Sequence, residues 1–201
     1  WIECILFGLS AWVSMLTINR IANINLLRSK LGQMANLDDL TKLFNHRYFY
    51  QRIQIEVEEA NKDNRPLALL FIDLDDFKIY NDTLGHLEGD RLLAEFARIL
   101  KGQVRENDIV CRYGGDEFVL ILPGIDDHKA EEIKYRIKAE IAEWPFAHRE
   151  VFPLKHMSIS VGTAAFPLHG MTYSDLIAVA DTNMYKDKKM QKEKVKALSS
   201  S

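Results

Sequence analysis

Two places in the chain concentrate residues able to do chemistry. Asp73, Asp75 and Asp76 close an apolar run from Leu67 to Ile72, and Asp116 and Glu117 follow directly on Gly114-Gly115. Carboxylates at the ends of buried strands are hard oxygen donors of the kind Mg²⁺ takes, commonly one or two of them together with substrate phosphates. Two such ions can activate an attacking oxygen and stabilise a leaving one. A glycine pair at a bend lets the backbone approach a phosphate closely, since no Cβ intervenes. By residue type alone the same groups also suit solvated turns, so position and context must decide between metal-assisted chemistry and an ordinary surface bend.

Other chemistries lack their residues. There is no GxxxxGK[ST] loop, no GxGxxG after a strand, no HExxH helix and no GxSxG elbow. Cys4 and Cys111 are the two cysteines, and neither sits in a CxxC or Cys/His cluster. That argues against a zinc site and a disulfide framework and fits a reducing, cytoplasmic setting for the folded part. The net charge of −3 lacks the basic surplus of proteins that bind nucleic-acid polymers, although it leaves small nucleotides open.

These residues need elements to position them. Phe49, Ile53, Val57 and Ala60 form a helical stripe behind Asn45, a suitable helix start, and Asn64-Arg65-Pro66 ends it. Leu67 to Ile72 reads as a strand buried on both faces. A second helix runs from about Glu88, with Leu92, Phe96 and Ile99 inward. Ile109 to Cys111 and Phe118 to Leu122 read as a hairpin around Gly114-Gly115. Ala130, Ile133, Ile137 and Ile141 mark a third helix after Asp126-Asp127. Ile159, Val161 and Thr163 alternate with Ser158, Ser160 and Gly162, which predicts a half-buried strand. Thr172 and Asp175 resemble a capping box opening a last helix that presents Leu176, Ala180 and Met184. The order helix, strand, helix, hairpin, helix, strand, helix predicts one α/β sandwich.

Residues 1–18 are mostly apolar, with Glu3 near the start and Arg20, Arg28 and Lys30 beyond. That is short for a membrane span, and the basic flank would place the following segment inside. The expectation is a transmembrane segment or its C-terminal part, against the alternative of a buried or dimerising helix. Over 19–36, Ile24, Leu27, Leu31 and Met34 recur at steps of three and four, as heptad positions do. This predicts a helical stalk able to bring two domains together, or else an amphipathic helix packed on its own domain. The folded domain is expected over 37–192 and a flexible tail over 193–201.

The wording of the segments adds a resemblance. Arg112-Tyr113-Gly114-Gly115-Asp116-Glu117-Phe118 is similar to the active-site hairpin of the GGDEF family of diguanylate cyclases. Asp38-Asp39-Leu40-Thr41, with Leu43, Asn45 and Arg47, resembles the DxLT segment that opens these domains. Phe71 to Lys78 with Asn81-Asp82 resembles their DxDxFKxxND segment, and Gly85-His86 and Gly89-Asp90 fall at the next landmark. The match runs from about Leu37 to Lys192, in order.

The resemblance implies an α/β fold with a central, mostly antiparallel sheet of the palm-like nucleotidyl-cyclase type, flanked by helices and preceded by an N-terminal helix. It implies that Asp73 and Asp116 ligate two Mg²⁺ ions per active site, with Mn²⁺ as a substitute, and that the Leu74 carbonyl is a further ligand. Glu117 is implied to act through the metals or on the proton of the attacking hydroxyl. Asn81 and Asp90 are implied to read guanine. A carboxylate can accept from guanine N1–H and the 2-amino group, donors that adenine lacks there. Lys78 and Lys188 are implied as phosphate contacts beside the Gly114-Gly115 backbone. The family's last segment reads as Lys followed by a Gly-Arg-Asn group, whereas this chain has Lys188-Lys189-Met190-Gln191-Lys192. Lys192 stands where an Arg helps hold the triphosphate, keeping the charge but not the bidentate fork. Lys42 replaces a Gly of the opening segment.

Arg105-Glu106-Asn107-Asp108 has the offset of the family's RxxD inhibitory product site, against the alternative of an ordinary charged turn. The implied activity condenses two GTP into cyclic di-GMP and two pyrophosphates in a homodimer, with product feedback. The catalytic domain would be cytoplasmic, anchored to the inner (cell) membrane through the N-terminus. The runner-up is a catalytically silent module that senses GTP or cyclic di-GMP.

Overall fold

Strand parity organises the molecule. The computed structural model describes Met15, Thr17, Ile18, Arg20, 36–152 and 156–199, with side chains given through Glu193. In it the elements are β1 (Phe44–Asn45), α1 (His46–Asp63), β2 (Leu67–Leu74), α2 (Phe77–Leu84), α3 (His86–Gly102), β3 (Ile109–Gly114), β4 (Glu117–Pro123), α4 (Asp127–Glu143), β5 (Ile159–Phe166) and α5 (Tyr173–Ser199). The strands form one sheet in the order β1-β3-β4-β2-β5, antiparallel throughout except for the short parallel β1–β3 pair.

Every residue of β2 is buried, as its continuous apolar run predicts. Successive side chains point to opposite faces, so Leu67, Leu69 and Phe71 join one core and Ala68, Leu70, Ile72 and Leu74 the other. The first core takes Phe49, Ile53 and Val57 of α1 and Leu176, Ala180 and Met184 of α5. The second takes Leu92, Phe96 and Leu100 of α3 and Ala130, Ile137 and Ile141 of α4. Asp73 continues the odd series and therefore emerges on the α1/α5 side.

Helix ends follow local chemistry. The Asn45 side chain accepts from Tyr48 N at 3.1 Å and starts α1, and Asn64, left-handed at φ 50°, closes it. The Asp126 carboxylate accepts from Lys129 N at 2.9 Å and opens α4. Thr172 and Asp175 form the expected reciprocal cap of α5.

The structure departs from the sequence reading in three elements. β5 is not half-buried: all its residues are covered, by α5 on one face and α4 on the other. Its polar side chains are accommodated by partners, with Ser160 bonded to Asp75 and Thr163 to Glu131. Gly162 lies where α5 passes so close that a Cβ would stand 2.0 Å from Ala180 O. The segment after β2 forms a helix of its own, α2, which the alternation of motif residues conceals. Finally, the backbone of α5 continues to Ser199, through much of the 193–201 segment expected as a flexible tail. The Lys, Ala and Leu residues there favour helix.

Asp38–Ser201 forms one compact unit. Among the described residues no helix is long and apolar enough to cross a membrane. The span expected over 1–18 and the stalk over 19–36, with the N-terminal helix they imply, lie almost wholly outside the described residues.

Candidate active site

Antiparallel pairing sets Asp73 of β2 opposite Glu117 of β4, and directly opposed residues share a face. The hairpin tip is drawn onto the same end of the sheet, because Leu74 N donates to the Asp116 carbonyl at 3.2 Å. Gly115 makes the bend at φ 51°, a left-handed conformation that suits glycine. Arg112 locks the bend. Its Nε and one terminal nitrogen donate to the Gly115 carbonyl at 3.0 and 2.8 Å, and its other terminal nitrogen reaches the Asp38 carboxylate at 3.1 and 3.2 Å. Asp38 in turn accepts from the Thr41 backbone and hydroxyl at 2.8 and 2.7 Å. The opening DxLT segment thus braces the hairpin.

Asp73, Asp116 and Glu117 therefore share one end of the sheet, and the crowding shows in their acidities. Burial, then the Asp73 charge, raises the Asp116 pKa above the ordinary carboxylate value. Burial, then Asp73, Asp116 and Asp181, raises that of Glu117. The cation among them is Lys188 of α5, whose Nζ donates to Asp73 Oδ1 at 2.6 Å. Burial pulls the Lys188 pKa down, but the bond to Asp73 and the charges of Asp73, Asp75 and Asp116 outweigh it, and the net shift is upward. Asp75 is 7% exposed and accepts from Ser158 and Ser160 hydroxyls at 2.8 and 2.6 Å. Those bonds only partly offset the burial that raises its pKa.

No group of three His, Cys, Asp or Glu side chains among the described residues converges tightly enough to cage a metal without help. What does converge is a set of hard oxygens whose repulsion Lys188 and, at Asp116, Arg112 only partly relieve. That chemistry fits a divalent cation whose shell is completed by backbone and phosphate oxygens.

The other expected residues fall into two groups. Asn81 of α2 lies against Gly89 of α3, where an added Cβ would meet Asn81 Oδ1 at 1.8 Å. Asp90, the next residue of α3, is exposed. Asn81 Oδ1 is buried and has no hydrogen-bond partner among the described residues. Lys78, in the first turn of α2, and Lys192, near the end of the described side chains, are exposed. Gln191, in place of the family's Gly, donates to the Ile159 carbonyl at 2.8 Å and so ties α5 to β5.

Arg105 and Asp108 are not part of this site. They precede β3 while Gly114 ends it, a separation of about 20 Å along a strand of that length. Asp108 Oδ2 accepts from Arg105 N at 2.7 Å, leaving the Arg105 guanidinium exposed. Arg136 of α4 approaches the same turn by donating to the Gln103 carbonyl, and with Arg98 and Trp144 it lines a groove of about 500 Å³.

Sequence reasoning passed over the roles of Arg112, Asp38, Arg136 and Asp181. The first two belong to recognisable motifs, but nothing in the sequence links positions 74 apart. Asp181 acts on Glu117 only because α5 crosses the sheet. The structure also accounts for the family's Gly at position 42: Lys42 has φ 58°, a conformation in which a side chain costs about 1–2 kcal/mol.

A mostly antiparallel sheet flanked by helices, with carboxylates gathered at one end around a glycine bend, defines an α/β domain. The chain belongs to the GGDEF family: the profile described as "Diguanylate cyclase, GGDEF domain" matches residues 35–194. It is 37% identical over 174 residues to the response regulator PleD of Caulobacter vibrioides, covering 85% of this chain and 38% of that protein. It is 34% identical over 185 residues to the diguanylate cyclase DosC of Escherichia coli, covering 89% and 39%. The chain thus spans less than two fifths of these curated relatives. Among solved structures it resembles the GGDEF domain of TpbB from Pseudomonas aeruginosa, with TM-score 0.70 and 37% identity over 77% of this chain and 89% of that one. It also resembles the coiled coil and GGDEF domain of DgcB from Caulobacter crescentus in complex with c-di-GMP, with TM-score 0.75 and 25% identity over 88% and 94%.

Proposed function

We propose that this chain is a diguanylate cyclase that condenses two GTP molecules into cyclic di-GMP, releasing two pyrophosphates. The observation that carries the reading is the convergence of Asp73, Asp116 and Glu117 on one sheet end beside Lys188, at a hairpin that carries the full family signature.

In this reading Asp73, Asp116, Glu117 and the Leu74 carbonyl hold Mg²⁺, or Mn²⁺ in its place. A bound divalent pair supplies charge stabilisation for the attacking and leaving oxygens. The chain's own residues do the rest. Asp90 and the unpartnered Asn81 Oδ1 receive the guanine edge. Lys78, Lys188 and Lys192 neutralise the triphosphate, and the Gly114-Gly115 backbone lets it lie close. Two domains face each other so that the 3′-hydroxyl of one GTP attacks the α-phosphorus of the other. The bond to pyrophosphate breaks as the new phosphodiester forms, twice per product. Positioning and charge stabilisation are the main contributions a protein makes to such a transfer. Arg105 and Asp108, with Arg136 nearby, form a separate product site for feedback. Residues 1–18 anchor the chain in the cell membrane, with the catalytic domain in the cytoplasm and 19–36 as the stalk that pairs two copies.

The test is incubation of the purified chain with GTP and Mg²⁺, with the product identified by mass and pyrophosphate counted. Cyclic di-GMP and one pyrophosphate per GTP are expected, with inhibition by added product that Arg105→Ala relieves. Asp116→Asn should reduce turnover by more than about a hundredfold, as loss of a charge-stabilising group does, while leaving the fold intact. Full activity in that variant would refute the metal assignment. Binding of GTP without pyrophosphate release would instead identify the silent sensor.

A further inference from the structure

Lys188 occupies the place of a cation. Its ammonium sits 2.6 Å from Asp73 Oδ1, and the charges of Asp75 and Asp116 act on it as well. The other cation near the hairpin, Arg112, is already engaged by the Gly115 carbonyl and Asp38, so the carboxylates have Lys188 as their near counter-ion. If Asp73 ligates a divalent cation through the same oxygen, metal and ammonium compete for it. A metal bound at about 2.1 Å would stand within a few ångströms of the ammonium, and like charges at that range repel strongly in a partly buried site. That competition favours release of the lysine. Its flexible four-carbon stem permits that, and the phosphates arriving with the metal offer it a new acceptor.

Resting on the metal reading of Asp73, we propose that Lys188 is the resident counter-ion of the nucleotide-free site, released from Asp73 by the entering metal and handed to the triphosphate. Metal and nucleotide then bind as one coupled event. Without nucleotide the metal must strip Asp73 of its lysine and leave that ammonium unpaired. With nucleotide the same displacement completes a second contact. Because coupling between ligands is reciprocal, the metal strengthens nucleotide binding by the factor by which nucleotide strengthens metal binding.

The test uses the full 201-residue chain with Mn²⁺ followed by electron paramagnetic resonance, alone and with 3′-deoxy-GTP, which cannot attack. Wild type should bind Mn²⁺ weakly alone and much more tightly with the nucleotide. Lys188→Met should bind Mn²⁺ alone about tenfold or more tightly than wild type, the scale of losing a competing charged hydrogen bond, and should show a smaller gain on adding nucleotide. Lys188→Arg, which keeps the counter-ion, should behave as wild type. Equal affinity of wild type and Lys188→Met for Mn²⁺ alone, with both binding tightly once nucleotide is added, overturns the exchange while sparing the metal site. Absence of Mn²⁺ binding in every form, or unchanged binding in Asp73→Asn, overturns the metal reading and the exchange with it.

Discussion

Asp116 carries a charge that the metal-free fold resists. Burial and the neighbouring Asp73 hold its pKa above the ordinary carboxylate value, so ionising it costs more in the folded chain than in the unfolded one. That cost is fully present above the raised pKa and vanishes below the ordinary one, where both states hold the proton. Asp116→Asn should therefore raise the melting temperature of the protein in chelator at neutral pH, with the gain fading as pH falls below the usual carboxylate range. Thermal melts across pH check this, and a variant no more stable than wild type at pH 7 counts against it. Lost activity together with gained stability is what a site strained for function predicts. At this scale the sequence revealed the acidic residues that converge, because a rare combination of letters names them. It did not reveal Asp38 and Arg112 as a brace or Asp181 as a neighbour of Glu117, since those contacts depend on which distant segments the fold brings together.

At the scale of elements, α5 brings Lys188 to the site from the far end of the chain. It packs on β5 only because Gly162 lacks a side chain: a Cβ there would stand 2.0 Å from Ala180 O and 2.1 Å from Met184 N. Gly162→Ala should lift α5 from the sheet, costing about 2 kcal/mol or more as overpacking does. It should also impair catalysis, since Lys188 moves with the helix; urea unfolding and turnover measured on one sample check both. The same contact explains why β5 misleads a reader of sequence. Its alternation of Ser160 and Gly162 with apolar residues imitates a solvated face, yet both positions lie under α5. In contrast, α1, α3, α4 and the hairpin were legible, because apolar periodicity and capping residues are local signals. α2 was not, because its few turns are written in the same residues as the metal motif.

For the whole molecule, the proposed chemistry needs two copies, since each GTP supplies the attacking group for the other. Specific activity should therefore climb with enzyme concentration, and more steeply once residues 1–36 are removed, if that segment pairs the domains. Assays over a dilution series of both forms check this. Unchanged concentration dependence after removal would assign pairing to the domain itself. Sedimentation of the intact chain with lipid vesicles, lost on deleting residues 1–18, tests the anchor.

The ammonium that faces Asp73 lies 115 positions downstream of it. During synthesis Asp73 leaves the ribosome long before that helix does, and for that interval it lacks its lysine partner. A chain ending between Phe166 and Lys188 would carry all five strands yet lack the ammonium that faces Asp73.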